Sequence, residues 1–125
     1  MAKKSSAPKF AEVVPVFNVS DVKAAIAFYE KKLGFKKQFR WPVKGKPFYA
    51  GVARDGIDIH LSAYQEGRGP VSQAMIFLSG VDAYYAELKK RKAAIDVEIA
   101  DRDYGMRDFA VKDLDGNKIS FGEGL

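Results

Sequence analysis

The sequence predicts an α+β fold in which one βαβββ unit is followed by a second unit of the same kind. Two segments carry apolar residues at helical spacing, and each lies among segments rich in β-branched and aromatic residues, which favour strands. The dipeptides Asp55-Gly56 and Asp115-Gly116, which favour tight turns, lie 60 residues apart, and the same offset pairs Tyr49 with Phe109. We interpret this as a repeated pattern rather than a chance alignment of two α/β stretches, because strands and helices pair as well as turns.

The first unit is expected over residues 12–64. Its first strand is predicted at Glu12–Val19, where Pro15 favours an edge position or an arm exchanged between two copies, since proline cannot donate to a strand ladder. Ser20 suits the N-cap of the helix that follows, and Gly34 suits the position just past its end. The later strands of this unit are predicted at Lys36–Trp41, Phe48–Arg54 and Ile57–Tyr64.

The second unit is expected over residues 72–123, after a segment with the composition of a linker at Gln65–Val71. The helical spacing of Val81, Tyr84 and Leu88 predicts its helix. Its strands are predicted at Ser72–Leu78, Asp96–Ala100, Arg107–Lys112 and Lys118–Phe121. Residues 11–125 are therefore expected to form one domain, preceded by a disordered tail over residues 1–10.

Composition excludes several classes of function. The chain has 125 residues and no cysteine, which excludes disulfides, zinc thiolate sites and cysteine nucleophiles. No stretch approaches the ~20 apolar residues of a membrane span, and the polar start lacks the apolar core of a signal peptide. We therefore expect a cytoplasmic protein with no membrane partner.

The net charge of +5 is unevenly distributed, with a basic run at Lys31–Lys46 and an acidic segment at Asp96–Asp115. A lysine-rich run is more often a solvated surface than a site for nucleic acid. Neither a recognition helix nor an aromatic platform accompanies these lysines. We therefore expect no nucleic-acid partner, although binding through Lys31–Lys46 is the alternative that salt dependence would reveal.

Six motifs carry a family resemblance: Val14–Val22, Ala27–Tyr29, Leu33–Phe35, Tyr49–Gly56, His60–Ala63 and Tyr104–Asn117. Together they resemble the vicinal oxygen chelate superfamily, which includes glyoxalase I, extradiol dioxygenases and bleomycin resistance proteins. The closing motif is most similar to the bleomycin resistance branch. The resemblance implies an open mixed-sheet barrel of the vicinal oxygen chelate type. It also implies a homodimer with ligand grooves between subunits and exchange of the N-terminal strand about a hinge at Pro15.

Enzymes of this superfamily hold a divalent metal with two side chains from each unit. The resemblance places these ligand positions at Val14, His60, Ala74 and Ser120, with Met75 as the neighbour of Ala74. Valine and alanine cannot bind a metal, and a serine hydroxyl is a weak ligand compared with a carboxylate or an imidazole. We therefore expect no metal, no other cofactor, and neither glyoxalase nor dioxygenase chemistry.

Ten residues are candidates for contact with a ligand: Phe39, Trp41, Phe48, Tyr49, His60, Ser62, Tyr64, Tyr104, Gly105 and Arg107. By the resemblance, Tyr104 would stack on a flat ring and Ser62 would donate or accept a hydrogen bond; an exposed loop tyrosine is the alternative for Tyr104. Gly105 would serve a turn and would also let backbone approach the ligand. Arg107 would contact the ligand or pair with Asp103 or Asp108. His60 is either a packed wall residue or a polar ligand contact.

The leading function is therefore a metal-free protein that sequesters an aromatic antibiotic of the bleomycin type, or a related natural product, and confers resistance. No catalytic residue is assigned. The basic net charge argues against cationic bleomycin itself and leaves anionic or neutral aromatic compounds open. The alternative function is a lyase-like or isomerase-like enzyme of the same superfamily that uses His60 or an unexpected metal.

Overall fold

The structure is a computed structural model that describes residues 7–63 and 71–125. The first unit contains β1 (Val16–Val19), α1 (Val22–Leu33), β2 (Lys36–Trp41), β3 (Tyr49–Arg54) and β4 (Ile57–Ala63). The second contains β5 (Gln73–Phe77), α2 (Val81–Lys90), β6 (Ile95–Asp101), β7 (Met106–Lys112) and β8 (Lys118–Gly124). Both units have the expected βαβββ order. Tyr64 and most of the predicted linker lie outside the described residues.

Each unit forms one four-stranded mixed sheet, with strand orders β1-β4-β3-β2 and β5-β8-β7-β6. In both sheets the first strand runs parallel to the last, and the remaining pairs are antiparallel. A helix covers one face of each sheet, and the strands do not close into a continuous barrel. This is the α+β vicinal oxygen chelate architecture that the resemblance implied.

The repeat offset is 59 residues at some positions and 60 at others. Val22 and Val81 begin the two helices, which gives an offset of 59. In the last strands, His60 and Ser120 retain the expected offset of 60. The turn between β7 and β8 is longer than the turn between β3 and β4, and this accounts for the difference. Pairing Tyr49 with Phe109 was therefore wrong by one residue; Tyr49 corresponds to Asp108.

Two details at the start of the chain also differ from expectation. β1 begins at Val16 rather than Glu12, since Pro15 has no N–H to continue the ladder; its carbonyl accepts a hydrogen bond from the His60 N–H. Asp21, not Ser20, is the N-cap of α1, and its carboxylate accepts a hydrogen bond from the Ala24 N–H. Gly34 ends the helix in the left-handed conformation, as predicted.

One hydrophobic core joins the two units. Phe17, Leu33, Ile59 and Leu61 from the first unit and Phe109 from the second are fully or almost fully buried in the same cluster. Polar contacts reinforce the junction, since the Tyr84 hydroxyl donates to the Leu33 carbonyl at 2.7 Å. The opposite face of each sheet is therefore left for other contacts.

A buried network of polar groups ties the turn after β7 to the first unit. The Asp113 carboxylate accepts hydrogen bonds from the Tyr29 hydroxyl, from the Asp115 and Asn117 N–H groups and from the Asn117 side-chain amide. The same Asn117 amide donates to the Asn18 carbonyl at 2.9 Å. Burial, followed by the nearby Asp113 charge, raises the pKa of Tyr29 well above its usual value, so the phenol remains a donor.

An ion-pair cluster forms a second junction between the units. Arg54 donates two hydrogen bonds to Glu87, at 2.8 and 3.0 Å, and Arg91 donates a third at 2.8 Å. The hydrogen bonds from Arg54, aided by Arg91 and opposed by partial burial, lower the pKa of Glu87 to about 2. The charged form of Glu87 is therefore favoured in the folded state.

We expect this cluster to stabilise the fold in a pH-dependent way. Because the folded-state pKa of Glu87 lies below the ordinary value of 4.5, its contribution is complete above that pH and is lost as the pH falls towards 2. Both side chains are about a third exposed, so solvent screening limits the contribution to about 1 kcal/mol. Urea unfolding of wild type and Glu87→Gln should give stability curves that diverge at pH 6 and converge near pH 2. A gap that does not change with pH would contradict this assignment.

Among the described residues, no helix is both long and apolar enough to cross a membrane. In the segment before β1, residues 7–13 are exposed, and Phe10 is 98% exposed. The disordered tail expected over residues 1–10 stays a prediction.

Candidate functional site

The open face of the first sheet carries a cluster of three rings. Phe39, Tyr49 and His60 lie on neighbouring strands, with ring centroids 5.1 to 6.1 Å apart. Strand register explains the cluster, because Gly51 lies between Phe39 on β2 and His60 on β4. A Cβ atom at Gly51 would overlap the Phe39 ring, so glycine here lets the ring lie flat on the sheet.

His60 has an orienting partner that sequence reasoning did not identify. The Tyr49 hydroxyl and His60 Nδ1 lie 2.8 Å apart and form a hydrogen bond. Phe39 and Tyr49 both meet the imidazole ring edge-to-face. The side chain is therefore fixed, and its second ring nitrogen, Nε2, makes no hydrogen bond to a described residue. Ser62 lies on the same face, directly opposite Tyr49.

The rim of this face is formed by the ends of β2 and β3. Trp41 is 57% exposed and lies opposite Tyr49, and Phe48 is also exposed. Arg40 donates hydrogen bonds to the carbonyls of Pro42 and Gly45 and thereby holds the loop between the strands. Trp41 therefore extends the ring cluster towards solvent, whereas no ring contact joins Phe48 to the cluster among the described residues.

The open face of the second sheet lines a cavity of about 490 Å³. Six apolar residues line it: Met75, Phe77, Val97, Met106, Phe109 and Ala110. Polar groups come from Arg102, Tyr104, Asp108, Lys118 and Ser120. Phe77 is 68% exposed and Tyr104 is 65% exposed, so the cavity is bordered by aromatic surface that this chain alone does not cover. Such a wall suits a flat, largely apolar ligand.

Three of these polar residues form a fixed group. Arg102 Nε donates to Asp108 Oδ1 at 2.8 Å, and the Tyr104 hydroxyl donates to Asp108 Oδ2 at 2.7 Å. Burial opposes ionisation of Asp108, but the bonds from Tyr104 and Arg102 outweigh it and lower the pKa of the carboxyl. The bond to Asp108 also raises the pKa of Tyr104. At neutral pH, Tyr104 is therefore a neutral ring held in place by an ionised carboxylate.

The three remaining predicted residues, Gly105, Arg107 and Tyr64, differ in whether the structure places them near the cavity. Gly105 has a φ of 85°, which favours glycine, and forms the turn into β7. Arg107 lies next to Asp108 on β7, and consecutive residues of a strand point to opposite faces. It pairs with Asp82 and Asp101 rather than with Asp103 or Asp108, so the structure does not bring it to the cavity. Tyr64 lies outside the described residues.

Residues 10–121 match the family described as the Glyoxalase/Bleomycin resistance protein/Dioxygenase superfamily. The chain belongs to this superfamily. The bleomycin-binding protein from bleomycin-producing Streptomyces verticillus, solved with copper(II)-bleomycin, is 30% identical to it. The two superpose with a TM-score of 0.75, over 95% of this chain and 100% of that one.

Two further solved structures share the fold at lower identity. TioX from Micromonospora sp. ML1 has a TM-score of 0.79 at 21% identity, over 93% of this chain and 100% of that one. A glyoxalase-related enzyme from Clostridium phytofermentans has a TM-score of 0.77 at 20% identity, over 97% of this chain and 100% of that one. A search of curated proteins found no match. The similar solved structures thus include a binding protein and a protein described as an enzyme.

The divalent metal of the superfamily's enzymes does not fit the residues present here. His60 lies opposite Val16 and Gly51, and Ser120 lies opposite Met75 and Ala110. Apart from His60 and Ser120 themselves, these positions offer no nitrogen or oxygen ligand from a side chain. Across residues 7–63 and 71–125, no group of three or more His, Cys, Asp or Glu side chains is placed to hold a metal.

Much of the cavity wall in the second unit was not predicted from the sequence. The candidate site residues did not include Arg102, Asp108, Met75, Phe77 or Lys118, yet all five line the cavity. Strand alternation identifies the four that lie on strands, whereas Arg102 lies between β6 and β7 and has no such signal. Starting from Ser120 on β8, the positions two residues away on either side are Lys118 and Gly122, and Asp108 lies opposite Gly122.

Proposed function

We propose that this protein is a metal-free binding protein that sequesters a flat aromatic natural product, of the bleomycin type or related to it, and thereby confers resistance. The observation that carries the proposal is the pair of aromatic open faces, one on each sheet. A planar ligand would stack on the rings of Tyr104, Trp41 and Phe39 and would be held there without being changed chemically. The 30% identity to a bleomycin-binding protein supports the same conclusion.

We propose further that the ligand lies between two copies of the chain. Each face is built within one unit, and each leaves large apolar side chains exposed, including Val16, Trp41, Phe77 and Tyr104. A dimer that packs these faces together would bury these side chains. An exchange of the N-terminal arm about Pro15 would bury Phe10 and Val13 as well, which are almost fully exposed.

A thermal-shift screen of chelator-treated protein tests the binding function. The panel contains bleomycin-type glycopeptides, other aromatic antibiotics and divalent metals. A ligand at 100 times its dissociation constant should stabilise the fold by about 2.7 kcal/mol, which a melting curve resolves. Stabilisation by an aromatic compound and none by metals is expected. Stabilisation by a divalent metal alone would contradict the proposal and favour an enzyme.

The Tyr104 side chain provides the matching mutational test. Tyr104→Ala removes a stacking ring and its buried area, so ligand affinity should fall about tenfold. Tyr104→Phe retains the ring and loses only the hydrogen bond to Asp108, so it should remain within about threefold of wild type. Fluorescence titration with the ligand found in the screen measures both values. Equal affinity of Tyr104→Ala and wild type would contradict the stacking role.

The alternative enzymatic function rests on the hydrogen bond between Tyr49 and His60. This bond orients the imidazole and leaves Nε2 directed away from Tyr49, as a general acid or base requires. If that function is correct, the ligand is converted and the conversion is abolished in His60→Gln. Recovery of intact ligand after long incubation, checked by mass spectrometry, would exclude it and leave the binding function.

A further inference from the structure

Of the charged side chains around the cavity of the second sheet, two form an ion pair with each other and one does not. Three charged side chains line it: Arg102, Asp108 and Lys118. Arg102 and Asp108 form an ion pair with an N–O distance of 2.8 Å. No carboxylate among the described residues lies within ion-pair distance of the Lys118 ammonium group. These three side chains therefore give the cavity wall a net charge of one positive unit, which Lys118 contributes.

The carboxylate of Asp108 is already occupied. One oxygen accepts from Arg102 and the other from Tyr104. A cationic group on a ligand would have to displace one of these donors or share an oxygen with it, and it would also meet the like charges of Arg102 and Lys118. An anionic group would instead find Lys118 free to donate up to three hydrogen bonds.

Lys118 is placed where its ammonium group could contact a ligand bound in the cavity. It stands on β8 two residues before Ser120, and both side chains line the cavity with Met75, Met106 and Phe77. Lys118 is half-buried, and its charge is one of those that lower the pKa of Asp108 on the same wall. A flat ring on the apolar wall would thus place a substituent near the ammonium and hydroxyl groups.

From this arrangement we propose that the site selects planar aromatic ligands that carry an anionic group, such as a carboxylate, with Lys118 as its charge partner. The inference rests on the proposed binding function and narrows it. The net charge of the chain acts in the same direction, because a charge of +5 attracts anions rather than cations.

Three probes that share one ring system and differ in charge provide the test: anthracene-2-carboxylate, anthracene-2-carboxamide and anthracene-2-carboxamidine. Fluorescence titration of the full chain at pH 7 measures their dissociation constants. We expect the anionic probe to bind about tenfold more tightly than the neutral probe, and the cationic probe to bind most weakly. In Lys118→Met the anionic and neutral probes should bind within about twofold of each other, whereas Lys118→Arg should retain the preference.

Lys112→Met is the matched control. Lys112 lies directly opposite Lys118 on β7 but pairs with Asp96, and it does not line the cavity. This variant removes the same charge from the same sheet, so it should retain the preference for the anionic probe. Equal loss in Lys112→Met and Lys118→Met would overturn the inference. Equal binding of all three probes to wild type would overturn the charge preference alone, whereas no binding of any probe would overturn the proposed function with it.

Discussion

Replacing Asp113 with alanine should lower the free energy of unfolding by about 3–5 kcal/mol. The carboxylate accepts four hydrogen bonds, and two of the donors, the Tyr29 hydroxyl and the Asn117 amide, belong to residues with no solvent exposure. Without the carboxylate, the Tyr29 hydroxyl loses its partner in the interior, and two N–H groups of the turn lose theirs. Urea unfolding at pH 7 measures the loss.

Two variants separate this network from a simple loss of charge. Tyr29→Phe removes one donor and leaves Asp113 with the other three, so it should cost about 1 kcal/mol. Asp103→Ala removes an exposed carboxylate from the acidic segment and should change stability by less than about 0.5 kcal/mol. If Asp113→Ala were as mild as Asp103→Ala, the turn would not depend on this network.

Local sequence signals predicted the elements of the fold well. The helical spacing of apolar residues, the glycine after α1 and the Asp55-Gly56 turn each depend on interactions within a few residues, so the sequence alone is informative. The turn even determines the register of its hairpin, because Arg54 must pair with Ile57. It follows that Gly51 lies opposite His60, a relation that the sequence contained but that we did not use.

Contacts between the units could not be predicted in the same way. The bond from Tyr29 to Asp113 spans 84 residues, and the pair of Arg54 with Glu87 spans 33. Each depends on how two units pack, and local propensity carries no information about that packing. The partner of Arg107 was missed for the same reason, since Asp82 lies on α2 rather than on the neighbouring turn.

The candidate site was predicted in part from the sequence. Phe39, Tyr49 and His60 were predicted by the resemblance, and the structure brings them together. Their counterparts on the second sheet were largely missed, because the aromatic signal there is weaker and methionines replace rings. Asp108 corresponds to Tyr49 in the repeat. Tyr49 contributes a ring to the cluster on the first sheet, whereas Asp108 accepts a hydrogen bond from Tyr104. The repeat therefore conserves strand positions and not their chemistry.

If two copies of the chain pack through their open faces, Phe77→Glu should dissociate the dimer. This side chain is exposed in the single chain although it borders the cavity of the second sheet and two cavities that residues of both units line. If a second copy covers it, Phe77→Glu would bury an unpaired carboxylate in an apolar interface. The dimer should then dissociate at least 100-fold more readily, and ligand binding should fall with it, because each groove needs both copies.

Leu114→Glu is the control for this change. Leu114 is also a large exposed apolar residue, but it lies on the turn between β7 and β8, away from the open faces. Sedimentation of the three proteins at several concentrations measures their association. A dimer in wild type and Leu114→Glu and a monomer in Phe77→Glu would place the interface on the open faces. A monomer in all three would mean that each chain binds its ligand alone, since the cavity of the second sheet is lined by residues of one unit.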